Sequence, residues 1–231
     1  MINLKFWLIT ALLMTGLPAM ADPAVYQRID FQADAEGEVT NDLLIAVLSI
    51  ELNNKSPALL ARDLTQKTNS ALKQGAAFPG VKLTSGNQQT WPIYNDKNQQ
   101  TGWRGRAEVK LESMDFKAAG ELVSLLQNDL QLNNLNFAVS PKTRRDVENR
   151  LIDEAIQSFR QRADRIRSGW NAKSYKLVQM NLGTAGIAQP QPMVMMRAAK
   201  MGGEMDSAPA ADYAGGQSRL SVQVNGTIEL E

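Results

Sequence analysis

Polar and apolar residues alternate in the first patterned stretch of the chain. Val25, Ile29, Phe31, Ala33 and Ala35 fall on one side; Tyr26, Arg28, Asp30, Gln32, Asp34 and Glu36 fall on the other. A period of two is that of a half-buried strand. Gly37 and the polar run Thr40-Asn41-Asp42 are expected to turn the chain. Residues 43–52 then begin apolar on both sides, with Leu44, Ile45, Ala46, Val47, Leu48 and Ile50. That predicts a central strand covered on both faces.

Ser56-Pro57 opens a helix, because a serine side chain caps the free N–H groups and proline lacks one that would be unsatisfied there. Leu59, Leu60, Leu64, Thr68 and Leu72 follow at helical spacing, up to a stop at Gly75. Residues 81–94 and 102–112 read as the two strands of a hairpin joined by the polar loop 95–101. In the second strand Trp103, Ala107, Val109 and Leu111 point inward, and Arg104, Arg106, Glu108, Lys110 and Glu112 outward. Asp115 caps a short helix with Phe116, Leu122, Val123 and Leu126, and Leu135, Phe137 and Val139 alternate as a strand. Ser140-Pro141 repeats the earlier cap and begins the longest helix, with the stripe Val147, Leu151, Ile152, Ala155, Ile156, Phe159, Ala163 and Ile166 and a stop at Gly169. In it, Asp146 and Arg150 form an i,i+4 pair in the favourable order.

Residues 175–182 read as a strand; 184–217, rich in Met, Ala, Gly and Pro and without period, read as a long loop. Leu220, Val222, Val224, Gly226, Ile228 and Leu230 alternate as a last strand. The order β-β-α-β-β-α-β-α-β-loop-β predicts an α+β fold, a largely antiparallel mixed sheet with helices packed on it. The repeated Ser-Pro cap hints at two related β-α-β-β halves.

The N-terminal stretch has a different logic. Lys5 precedes an apolar run from Phe6 to Leu17, Pro18 breaks it, and Ala19-Met20-Ala21 places small residues at −3 and −1. This predicts a Sec-type signal peptide over 1–21, cut after Ala21, since the run is shorter than the roughly 20 residues of a membrane span. The expected mature domain is 22–231, periplasmic and without an integral span.

Composition narrows the chemistry. The chain has 231 residues, no Cys and no His. That excludes a disulfide framework, a thiol nucleophile, a Cys/His zinc site and a Ser-His-Asp triad. There are 25 basic and 24 acidic residues, and Lys5 accounts for the difference. A balanced charge speaks against a nucleic acid or an anionic membrane as partner.

Acid–base work would fall to carboxylates. Glu36 and Glu38 share one side of an ideal strand about 7 Å apart, a spacing compatible with a carboxylate pair, though two solvated charges is the plainer reading. Asp153 and Glu154 are adjacent on a helix and diverge. Arg144, Arg145, Arg150, Arg160, Arg162, Arg165 and Arg167 are interrupted by acids and read as a salt-bridged face. Trp91, Tyr94 and Trp103 cluster around the hairpin, either as cross-strand packing or as a stacking platform. Met193, Met195, Met196, Met201 and Met205 concentrate in the long loop. Apolar docking is one use for them; soft Cu(I) ligation and reversible oxidation are the others.

Several segments together resemble the SIMPL-domain family of exported bacterial proteins, which includes periplasmic immunogenic and oxidative-stress-defence types. Ala35-Glu36-Gly37-Glu38-Val39 resembles its GEGEV-type turn, with Ala35 where glycine is usual. Trp91-Pro92-Ile93-Tyr94 and Thr101-Gly102-Trp103-Arg104-Gly105 resemble its paired hairpin strands, and Asp153-Glu154-Ala155 and Ala163 its Ala-rich helix. Residues 192–199 resemble its Met/Pro-rich stretch before the last strand. The resemblance implies a fold, export and an association with envelope stress; it carries no catalytic motif or cofactor. The expected function is therefore binding or assembly, as a homo-oligomer, in envelope or oxidative stress defence. The alternatives are a methionine-based oxidant sink or Cu(I) buffer, and a carboxylate-based hydrolase. Long alternating strands leave edges free to pair with another copy.

Overall fold

The computed structural model describes residues 27–188 and 214–231. The element order is β1 (Arg28–Thr40), β2 (Leu43–Asn54), α1 (Pro57–Gly75), β3 (Val81–Tyr94), β4 (Gln100–Ser113), α2 (Phe116–Leu126), β5 (Gln131–Ala138), α3 (Pro141–Gly169), β6 (Tyr175–Ala188) and β7 (Gln217–Leu230). The expected α+β class and order hold. The strands divide into two sheets, β1-β7-β6 and β3-β4-β2-β5, and every pairing is antiparallel.

Each sheet has its own core. α1 and α2 cover one face of the four-stranded sheet, burying Leu60, Leu64, Ala71, Leu122 and Leu126 against Leu44, Leu48, Val109 and Leu111. α3 lies on the three-stranded sheet, mainly against β1 and β7, burying Leu151, Ala155, Phe159 and Ala163 against Ala33, Val222, Val224 and Ile228. The Phe159 ring stacks on Phe31 at 4.3 Å. It also lies over Gly226, where a Cβ would come within 2.8 Å of its Cζ.

The helices open as their sequences predict. Ser56 and Ser140 cap α1 and α3, each followed by proline, and the Asp115 carboxylate accepts from the Ala118 N–H at 3.0 Å to cap α2. The turn expected at Gly37 does not form there: β1 runs straight through to Thr40. A Cβ at Gly37 would lie 3.1 Å from Arg150 Nη2 and 3.3 Å from Leu151 Cδ2, so this glycine lets α3 approach the strand. β6 also continues past the expected end, pairing with β7 as far as Ala188, and β7 begins at Gln217. The described part of the expected 184–217 loop is thus partly strand.

The two sheets share one local order. β2, α1, β3 and β4 form a sheet ordered β3-β4-β2, and β1, α3, β6 and β7 form one ordered β6-β7-β1. The second unit is interrupted after its first strand by the whole of the first, because 43–138 lies between β1 and α3. The two related β-α-β-β halves hinted at by the caps are therefore nested rather than consecutive.

The crossing points are polar. Asn41 is buried; its N–H donates to the Gly216 carbonyl at 3.0 Å, its Nδ2 to the Gly215 carbonyl at 2.8 Å, and its Oδ1 accepts from Ser218 Oγ at 2.6 Å. The Asp42 carboxylate accepts from the Ser140 N–H at 2.6 Å, Ser140 Oγ at 2.8 Å and Thr143 Oγ1 at 2.6 Å. Among the described residues no helix is long and apolar enough to cross a membrane.

Candidate functional site

Three surfaces carry chemistry. The first is the outer face of the three-stranded sheet. Side chains at alternate positions of β1, β7 and β6 meet there in rows: Asp30, Thr227 and Gln179, then Gln32, Asn225 and Asn181. They line an open concavity of about 380 Å³. Its floor is knitted together: Thr227 Oγ1 donates to Asp30, and Gln223 Nε2 donates to Gln32 Oε1 at 2.7 Å. The groups are amides, one hydroxyl and one carboxylate beside Phe31, a surface suited to hydrogen bonding rather than to proton transfer.

The second is a smaller concavity, about 200 Å³, on the outer face of the four-stranded sheet. Asn87, Gln89 and Trp91 of β3 and Arg106 and Glu108 of β4 line it. Arg106 Nη2 lies 3.2 Å from Glu108 Oε1, while its Nε is buried with no acceptor among the described residues.

The third is β6, the edge of its sheet. α3 leaves it largely uncovered, so Leu177, Val178 and Leu182 stay exposed on a strand that, among the described residues, has one unpaired hydrogen-bonding edge. A bulge between Leu177 and Gln179 adds Val178 to this strand without a partner on β7.

The residues singled out from the sequence fall as follows. Glu36 and Glu38 are exposed on β1, and Glu38 pairs with Arg219 at 3.4 Å; neither lines the two concavities described. Asp153 is exposed and Glu154 pairs with Arg150 at 2.7 Å. The expected Asp146–Arg150 pair is replaced by pairs one turn away, Lys142–Asp146 and Arg150–Glu154, as solvated partners on one helix face exchange at little cost. With Arg144–Glu148 at 2.7 Å, they make the salt-bridged face expected of this helix. Trp91 and Trp103 do not form a common platform: Trp103, opposite Pro92, packs on the α1 core, while Trp91, opposite Arg104, faces away from it. Alternation sends neighbouring positions to opposite faces, and the two differ by one step. Met193, Met195, Met196, Met201 and Met205, and the cleavage site at Ala19 and Ala21, lie outside the described residues.

The Asp42 cluster, the uncovered side of β6 and the outward placement of Asn87 and Gln89 have little local signal in the sequence. The bulge between Ser85 and Gln88 moves the outward positions of β3 from even to odd numbers. Gly86 in a polar run was the only signal of it.

The chain is a two-sheet α+β molecule with amide side chains on its outer faces and exposed apolar residues on β6. The family model SIMPL, a protein of unknown function (DUF541), matches residues 29–228, and the chain belongs to that family. Comparison with curated proteins gives no match.

Proposed function

We propose that this SIMPL protein is exported to the periplasm and acts there by binding and self-assembly, not turnover, in defence of the envelope against oxidative stress. The observation that carries the reading is β6, with Leu177, Val178 and Leu182 exposed on an edge that no other described strand pairs with. An apolar edge strand left open invites pairing with another strand, and a second copy supplies one by two-fold symmetry. The n-region, the apolar run and Ala19-Met20-Ala21 support export, and the lack of Cys suits a protein whose cores alone hold it together. Light scattering on periplasmic protein at about 20 µM, a concentration at which typical interfaces are occupied, tests the assembly. A mass of two or more copies is expected, from chains beginning at Asp22; a monomer overturns the assembly reading, and a chain retaining Met1 overturns export.

A further inference from the structure

The outer face of the four-stranded sheet sets one aromatic ring among polar groups whose charges are already matched. Trp91 stands opposite Arg104 and shares its side of β3 with Asn87 and Gln89. Arg104 Nε lies 3.3 Å from Glu51 Oε1 and donates to Asn53 Oδ1 at 3.2 Å. Arg106 is paired with Glu108. Each cation near the concavity therefore has its anion, and a charged ligand would gain no field and would have to break a pair. The groups that line it and can meet a ligand are the indole of Trp91, the exposed side-chain amides of Asn87 and Gln89, and the partly exposed guanidinium of Arg106.

These groups define what fits. The ligand must be neutral, present a flat C–H face to the indole, and carry groups that both donate and accept around its rim. A pyranose ring has that combination. We propose that this shelf binds one ring of a neutral saccharide, with Trp91 carrying its C–H face and Asn87, Gln89 and Arg106 hydrogen-bonding its hydroxyls. The shelf lies on two paired strands, so its groups are held in place before binding. It opens along β3, the edge of its sheet, so a longer saccharide can run past it. Gly86 belongs to the same design: a Cβ there would sit 3.1 Å from Glu108 Cβ, and the bulge around it aims Asn87 at the shelf.

The test titrates the full mature chain with cellotetraose, chitotetraose and tetragalacturonate, by calorimetry and by tryptophan fluorescence. Saturable binding of at least one neutral tetrasaccharide, in the millimolar range or tighter and stronger than that of the galacturonate, is expected. Trp91→Ala weakens it about tenfold and Trp91→Phe about threefold. Gln89→Ala, an exposed position, also weakens it about threefold and serves if Trp91→Ala does not fold. Trp170→Ala, at an exposed tryptophan outside the shelf, binds as the parent does. The proposal is overturned by absence of saturation with both neutral probes up to about 20 mM, by preference for the galacturonate, or by binding that the Trp91 and Gln89 variants leave unchanged. Assembly through β6 is read separately, so either idea can fail alone.

Discussion

At the scale of single residues, Asp42 shows how a charge holds two units together. Burial pushes its carboxyl pKa up, but hydrogen bonds from Thr143 Oγ1, the Ser140 N–H and Ser140 Oγ together outweigh that and leave it below the ordinary carboxylate value. A carboxyl whose pKa falls on folding stabilises the fold fully above its unfolded value, near about 4, and loses that contribution as pH drops through the folded value. Asp42→Asn should therefore cost about 1–3 kcal/mol at neutral pH, and the gap to the parent should narrow below about pH 4. Urea unfolding at the two pH values measures it; an undiminished gap in acid would mean that the charge is not what matters. Nothing in the sequence marked Asp42 out, because its donors lie about a hundred residues away. Gly37 shows the opposite error: a glycine beside a polar run looks like a turn, and only the helix lying over it reveals a packing role.

At the scale of elements, the two Ser-Pro caps look alike in sequence and differ in structure. Ser56 receives the Leu59 N–H at 3.4 Å, whereas Ser140 receives the Thr143 N–H at 3.3 Å and also donates to Asp42 at 2.8 Å. Ser140→Ala is expected to lose about 2 kcal/mol and Ser56→Ala about half of that, by chemical denaturation; equal losses would remove the distinction. β6 carries the second expectation. Leu182→Lys puts a charge on the exposed apolar side of an edge strand, a device that blocks edge pairing. Sedimentation velocity should show the variant as a monomer at concentrations where the parent associates, and an unchanged distribution would acquit β6. Periodicity located nearly every helix and strand here, because caps and alternation are local. It ends β6 at Leu182, six residues short of Ala188, and alternation marks a side as apolar without saying whether anything covers it.

At the scale of the whole molecule, two hydrophobic clusters meet across the polar contacts of Asn41, Asp42 and Ser140. Cores joined in this way need not open together. Native-state hydrogen exchange in mild urea should sort amides into two groups, β2 and β4 in one, β1 and β7 in the other; a single opening free energy for both would show one cooperative unit. The division is hidden in the sequence, because β1 and β2 are separated only by Asn41 and Asp42, yet β1 pairs with β7 and β2 with β4. The nesting itself has a consequence for ancestry and for engineering. Leu43 and Ala138, the first and last residues of the inner unit's strands, are direct neighbours in the β2–β5 pairing. The chain thus enters and leaves that unit at one spot, as the arms of a keyring meet at its clasp. A duplicated gene copied into its own first loop would give this arrangement without displacing any strand of the host. The same spot is where a foreign module with adjacent ends could be exchanged for the inner unit.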